Sequence, residues 1–348
     1  MRVGIIGTGI HSLVHLAGYA LTPHIEVVAV TDLNRQRAEE VAASHGRPQV
    51  FSSAQELIAC PEVDLVDVIT PPMAHREPVL AVLAAGKPLL CEKPLSLDPA
   101  EAAELEAAAR SGTALAATSF NRRFDPAIRY LRDLLADGFL GEHRMTTVTV
   151  ITAWEKMHGA DASGDLRQWL RSPDTGGGFL RGAMPHYVDL LRYLLGETTV
   201  SAAALQSAKP AATTEGAVSD DIVLAFGSVA TGGLYSIAMT WTAASEVGER
   251  WSLVGSERTV VVEPDGSMTS TDASGQTSRL TIPSSYISPA VKGEHGFGFG
   301  AGSWAFAAMM DHLAGCVSGD NDTPLFASLA DGARNAELIA DIYRLAST

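Results

Sequence analysis

Cysteine is scarce in this chain. Cys60, Cys91 and Cys316 are the only three, widely separated and odd in number. That excludes a disulfide framework, and the lack of any C-x-x-C pair removes the common thiolate metal clusters. Basic residues are in the minority, with 25 Lys and Arg against 40 Asp and Glu, for a formal net charge of −15. Binding to nucleic-acid phosphates or to an anionic membrane requires a local excess of Lys and Arg, so neither is expected as a partner. Long apolar runs are also missing, and no segment reaches the roughly 18 residues that a spanning helix needs. The opening Met1-Arg2-Val3-Gly4-Ile5-Ile6-Gly7 has no small-residue cleavage pattern behind an apolar core, so a reducing cytoplasm is the expected setting. What is abundant is apolar: 46% of 348 residues are hydrophobic and 19% charged, a composition for a packed protein of two domains.

The first 120 residues alternate between apolar runs and helical spacing. Val3–Ile6, Val27–Thr31, Leu65–Thr70, Leu89–Cys91 and Leu115–Thr118 have the uninterrupted apolar character of parallel strands buried on both faces. Between them, 35–44, 54–59, 77–85 and 99–110 carry helical periodicity. Strand–helix alternation at this pitch predicts right-handed βαβ units and a doubly wound α/β sheet. Beyond Asn121 the pattern changes. A helix over 126–137 leads to a β-rich run over 145–153, and a second helix follows Gly176-Gly177-Gly178. Period-two stretches then cover 219–226, 233–241, 251–255 and 259–263, with turns such as Pro264-Asp265-Gly266, and helices over 304–317 and 325–345 close the chain. The expected second domain is α+β, with a largely antiparallel sheet that leaves one face for helices or another subunit. The boundary is placed near residue 120.

The first strand ends in Gly7-Thr8-Gly9-Ile10-His11-Ser12, the spacing of G-x-G-x-x-G with serine in the third position. Gly7 suits a tight turn, and Gly9 lets a pyrophosphate approach the backbone amides of Ile10 and His11 at a helix N-terminus. The third position needs only a small residue. Alone, such glycines are often mere turn formers. Asp32 adds weight: it ends the second strand twenty residues after Ser12, where a carboxylate accepts from the adenosine ribose hydroxyls. The competing reading of Asp32 is a cap for the next helix. A carboxylate there repels a 2′-phosphate and favours NAD over NADP, while nearby Arg35 is able to pair with one. His11 and His15 have metal-like spacing without a third ligand, so no metal is expected.

Thr70-Pro71-Pro72-Met73-Ala74-His75, Ala85-Gly86-Lys87, Glu92-Lys93-Pro94 and the later Gly-Gly-Gly…His186 segment occur in one order. In that order they resemble the glucose-fructose oxidoreductase / inositol dehydrogenase (Gfo/Idh/MocA) family over essentially the whole chain. The resemblance implies a Rossmann dinucleotide-binding domain over 1–120 and, over 121–348, an α+β domain with a large, mostly antiparallel open sheet used for substrate binding and oligomerisation. It also implies NAD as cofactor, with Gly7, Gly9, Ile10, His11, Asp32, Thr70, Pro71, His75, Glu92, Lys93 and Asn121 around it. The implied activity is hydride transfer between nicotinamide and a hydroxyl or carbonyl carbon of a sugar, polyol or derivative, by a homodimer or homotetramer.

Lys93 follows an apolar strand at the edge where doubly wound sheets bind ligands, and Pro94 disfavours helical angles at the lysine. An ammonium there stabilises developing alkoxide charge. The resemblance assigns Lys93 this role and puts Glu92 near the nicotinamide ribose; the alternative is a surface ion pair at a strand end. Pro185 suits a first helical position, which places His186 in a first turn, where the helix end disfavours imidazolium and keeps a neutral general base. Asp189 lies three residues on. Lys93 and His186 are the catalytic candidates, and Lys93, Arg122, Arg181 and His186 the substrate-binding ones. Asn121-Arg122-Arg123-Phe124 resembles the family's N-x-R-[FY] segment, or else is a basic helix entry with Phe124 as a staple.

Two features depart from the family pattern. Gly182 stands where many members have the aspartate of D-x-x-x-H, leaving Arg181 to hold an anionic or differently shaped substrate, and Trp169-Leu170-Arg171 breaks the register of the usual Trp-Arg pair. Trp154, Glu155, Lys156 and His158 line a sugar pocket or form a solvated loop. The same constellation also admits a redox-neutral NAD-dependent glycosidase or eliminase, or a dinucleotide sensor without catalysis.

Overall fold

The computed structural model describes residues 1–153, 178–207, 220–287, 302–321 and 323–346. Two compact units are present, one built from Met1–Phe124 and Gly302–Glu337, the other from Asp125–Ser288 and Leu338–Thr348. The first break falls between Phe124 and Asp125, beside the expected boundary; the assignment of all of 121–348 to the second domain needs correction, because the chain returns to the first unit near its end. The reason is apolar surface. The helix Gly302–Ser318 buries Phe306, Met309, Met310 and Leu313 in one cluster with Leu16 and Tyr19.

The first unit alternates β1 (Arg2–Ile6), α1 (Ile10–Ala20), β2 (Glu26–Thr31), α2 (Arg35–Ser44), β3 (Gln49–Val50), α3 (Ala54–Ala59), β4 (Leu65–Val68), α4 (Arg76–Ala84), β5 (Leu89–Cys91), α5 (Pro99–Ser111) and β6 (Ala116–Thr118). Helix starts follow local chemistry. The side chains of Asn34, Ser53 and Asp98 accept from the backbone N–H of Arg37, Glu56 and Ala100, and Pro99 sits at the first position of α5. The sheet order is β6-β5-β4-β1-β2-β3, all parallel, with the short strand Ala327–Ser328 added antiparallel to β6. This is the doubly wound dinucleotide-binding order, and it reverses direction between β1 and β4.

The second unit contains α6 (Pro126–Ala136), β7 (His143–Ile151), α7 (Phe179–Leu195), β8 (Thr198–Gln206), β9 (Ile222–Val229), β10 (Leu234–Thr240), β11 (Gly248–Gly255), β12 (Arg258–Val262), β13 (Met268–Asp272) and β14 (Thr277–Leu280). Its sheet runs β14-β13-β12-β11-β7-β10-β9-β8, antiparallel except between β7 and β10. The period-two pattern sorts the strands into two faces. Val148, Val150, Val223, Ala225, Ile237 and Leu253 pack inward with Ile128, Met184, Leu191 and Ile342 of the helices. Met145, Leu224, Phe226 and Leu234 point the other way and are about half exposed or more, at 45, 51, 54 and 62%. Among the described residues no helix is long and apolar enough to cross a membrane.

Ile237 is 1% exposed at the centre of this sheet. Ile237→Ala is expected to cost about 2–5 kcal/mol through lost burial and a residual cavity, measured as a lower urea midpoint at unchanged slope.

Candidate cofactor and active-site residues

In the first unit, the parallel strands deliver Asp32, Gly7, Thr70, Glu92–Lys93 and Asn121 to one edge of the sheet, after β2, β1, β4, β5 and β6. Gly7 has φ of +99°, and a Cβ there would lie 2.9 Å from the backbone of Ile69 and Thr70. Its glycine is a requirement of the fold. Gly9 differs, because its φ is −69° and nothing lies within 4 Å of where a Cβ would be. No side chain caps α1 at Gly9. The space before the helix is thus open, and the first-turn N–H groups of Ile10 and His11 face it in the manner of an anion site. Ser12, in the third glycine's position, is buried and donates its hydroxyl to the Gly9 carbonyl at 2.7 Å.

Asp32 is held in a fixed orientation. Its Oδ2 accepts from the Thr8 N–H at 2.7 Å and the Thr8 hydroxyl at 2.9 Å, and its Oδ1 accepts from the Asn34 N–H at 2.8 Å. The cap of α2 is Asn34, so Asp32 does not serve in that capacity. Arg35 is already engaged with Glu39 at 2.8 Å on the same helix.

Glu92 and Lys93 leave β5 together. Glu92 is buried; its Oε2 accepts from the Lys93 backbone N–H at 2.9 Å, and its Oε1 lies 3.0 Å from His15 Nε2. On the other side of the ring, His15 Nδ1 is 2.7 Å from Asp67 Oδ2, which also accepts from the Tyr19 hydroxyl at 2.7 Å. Although burial opposes charge on the ring, the two carboxylates raise His15 to about 9, and despite its own burial the His15 contact and the Lys93 charge hold Glu92 well below the usual carboxylate range. Desolvation by the protein around the His11 ring, with the Lys93 charge nearby, lowers it to about 4. Lys93 itself is half-buried, and its peptide bond to Pro94 is cis.

Two cofactor candidates are built into the scaffold. His75 is wholly buried, with ring nitrogens 2.7 Å from the Thr70 carbonyl oxygen and 3.0 Å from that of Leu95, and burial lowers its pKa. The expectation that it contacts the cofactor is corrected. It acts behind the loop, tying the Thr70–Pro71 turn to the segment after Pro94. Asn121 donates its amide to the Gly302 carbonyl at 3.0 Å, while Arg122 and Phe124 beside it are buried. Phe124 packs its ring 5.6 Å from His312 and joins the apolar cluster of the first unit.

The remaining candidates lie in the second unit. The helix α7 starts at Phe179, so Pro185 is inside it and His186 is not in a first turn. The macrodipole argument for a neutral His186 therefore fails. The start is set upstream: Gly178 has φ of +118°, and a Cβ on it would fall 1.9 Å from Asp220 Oδ1. Asp220 is buried and pushed up to about 6 by that burial, although its Oδ2 accepts from the Tyr343 hydroxyl at 2.5 Å. Arg181 lies over the Tyr343 ring at 4.8 Å. His186 and Asp189 are both buried, and the neighbouring Tyr187 donates to Glu249 at 2.8 Å. Gly176, Gly177, Trp154, Glu155, Lys156, His158 and the Trp169-Leu170-Arg171 segment lie outside the described residues.

Comparison with known proteins places this geometry. Residues 1–119 match an oxidoreductase family with an NAD-binding Rossmann fold, and 128–261 match the GFO/IDH/MocA C-terminal domain. The chain belongs to the GFO/IDH/MocA family. It is similar to a 1,5-anhydro-D-fructose reductase of Ensifer adhaerens, 31% identical over 59% of this chain and 59% of that protein. It is also similar to a trans-1,2-dihydrobenzene-1,2-diol dehydrogenase of Oryctolagus cuniculus, 40% identical over 44% of each. These matches span about half of the curated relatives' length. Its fold is that of a levoglucosan dehydrogenase solved with NADH and levoglucosan, with TM-score 0.84 and 24% identity over all of this chain and 97% of that one. The GFO/IDH/MocA fold thus accounts for the sheet edge, and its N-terminal domain is an NAD(P)-binding one.

Sequence reasoning missed Asp67, Tyr19 and Asp220, and saw His15 only as half of a metal-like pair. A signal was present for the first: Asp67 interrupts a strand otherwise buried on both faces, and a buried carboxylate demands donors. The two glycines of the turn separate fold from ligand. Gly7→Ala is expected to lower the melting temperature, with at least about 1–2 kcal/mol from the left-handed backbone alone. Gly9→Ala should melt like the parent yet bind dinucleotide at least about tenfold more weakly by calorimetry, since a methyl occupies the phosphate approach.

Proposed function

We propose that this protein is an NAD-dependent oxidoreductase that moves a hydride between nicotinamide and a CH–OH or carbonyl carbon of a sugar, polyol or related compound. The observation that carries the reading is the set of groups on one sheet edge: open Gly9, fixed Asp32, and Glu92–Lys93. They fit a dinucleotide, which when bound supplies the hydride acceptor or donor. Around it, the α1 amides receive the pyrophosphate and Asp32 the adenosine ribose hydroxyls. Glu92 receives the nicotinamide-side ribose, and Thr70 and Pro71 border the cofactor with His75 behind them. Preference for NAD over NADP rests on the Asp32 carboxylate and on Arg35 being engaged by Glu39.

Lys93 donates to the substrate oxygen and stabilises alkoxide character, and His186 takes or returns the hydroxyl proton. Arg122 and Arg181 are the further substrate-binding residues in this reading. A carbohydrate-like substrate is supported by the anhydrofructose reductase and levoglucosan dehydrogenase to which the chain is similar. The half-exposed Met145, Leu224, Phe226 and Leu234 form one apolar face, which a second copy of the chain covers in a homodimer or homotetramer. Free cysteines suit a cytoplasmic setting.

The test is the near-ultraviolet absorbance of NADH, followed with NAD and then NADP across sugars, inositols and sugar acids. Substrate-dependent NADH formation is expected, with Lys93→Ala and His186→Ala each lowering kcat by about 10²–10⁴-fold. A wild-type rate retained by both variants would remove the proposed chemistry. Sedimentation of the Phe226→Asp/Leu234→Asp double variant should show monomer where the parent shows dimer or tetramer.

A further inference from the structure

Beneath Glu92 lies a group of buried side chains that the hydride-transfer reading does not use. His15 and Tyr19 occupy the same face of α1, one turn apart, and Asp67 and Glu92 come from β4 and the end of β5. All four are buried, and His15 and Asp67 almost completely, at 2 and 0% exposure. The His15 ring lies between two carboxylate oxygens, 2.7 Å from Asp67 Oδ2 and 3.0 Å from Glu92 Oε1. A neutral imidazole has one N–H, so it would direct a ring lone pair at the other carboxylate. The imidazolium donates to both. Its face rests on Phe306 at 4.0 Å between centroids, an arrangement that suits a desolvated cation.

We propose that His15 is a positioning residue for the cofactor site, an imidazolium bridge that clamps the Glu92 carboxylate in the orientation that receives the nicotinamide-side ribose beside Lys93. The assignment rests on the function proposed above and deepens it. Oε1 is held by His15 and Oε2 by the Lys93 N–H, so both oxygens of Glu92 are fixed in place. The bridge is not a proton wire. Its inner end is Asp67 and Tyr19, both buried, with the Tyr19 hydroxyl also 4.0 Å from Met310 Sδ and its pKa pushed up by burial and by Asp67.

Among the described residues of the first unit, the charged and titratable groups around the ring are Asp67 and Tyr19 below, Glu92, Lys93 and His11 above, and Cys91 and His75 flanking Glu92. Removing the imidazolium leaves two buried carboxylates without the cation between them, and Glu92 then takes up a proton in a higher pH range. For His15 itself the sign runs oppositely. Raised to about 9, it stays charged through neutrality, and the stability this adds is fully present below 6.5 and is lost progressively as pH rises to about 9.

Two measurements test this without turnover. Nitrogen NMR of histidine-labelled protein should find both His15 ring nitrogens protonated at neutral pH. Calorimetry should find NAD binding to His15→Gln weaker by about 10- to 100-fold, the loss of a charged hydrogen bond. The loss should grow as pH falls from about 7 to 5, along an acid limb that the parent lacks. A loosened fold would weaken binding equally at every pH. A singly protonated His15 ring, or a variant whose affinity follows the parent's pH dependence, overturns the proposal. Both readouts stand even where no tested sugar is oxidised, so failure of the redox chemistry and failure of the bridge are separable.

Discussion

Two carboxylates, Asp67 and Glu92, are buried at the crowded end of an apolar parallel sheet, and the cation between them is His15. Each buried charge costs several kcal/mol unless it is paired and hydrogen-bonded. The pairing therefore constrains everything it touches. It fixes the rotation of α1 on the sheet, because His15 and Tyr19 must both face β4. Phe306 packs on the His15 ring and Met310 reaches the Tyr19 hydroxyl, so the helix Gly302–Ser318, held in the first unit by its apolar face, also covers this group. At its outer end the pairing fixes Glu92, the residue from which Lys93 departs.

The second unit is governed by a different constraint. Its sheet buries one face under α6, α7 and the end of the C-terminal helix, and the period-two pattern leaves apolar side chains on the other face. The start of α7 is fixed by a close approach, with Asp220 occupying the space a side chain at Gly178 would need. That carboxylate, hydrogen-bonded to Tyr343, lies at the head of the helix that carries Arg181, Gly182 and His186. The carboxylate at its head comes from a distant part of the sequence.

Much of the fold was legible because strands buried on both faces and amphipathic helices write their periods directly into the chain. The strand Leu89–Cys91 and the helices Arg35–Ser44 and Ala54–Ala59 fall where the spacing puts them. The strands β3, β8, β13 and β14 were not legible. Two residues of β3 carry no period, β8 is alanine-rich, and β13 and β14 are largely polar, so their pairing with neighbours, not their composition, makes them strands.

By itself the sequence determined the parts whose chemistry is local. These are the glycine turn, the acid at the end of β2, the Glu-Lys-Pro step after β5, and the order of elements that brings them to one edge. Tertiary structure decided what depends on contacts between distant segments. It turned His75 inward to two carbonyls, put Pro185 inside a helix instead of at its start, and joined His15 to residues 52 and 77 positions away. The physical reason is the same in each case. A buried polar group takes its role from the partners that folding brings to it, and a linear pattern carries the period of its own element but not the identity of those partners.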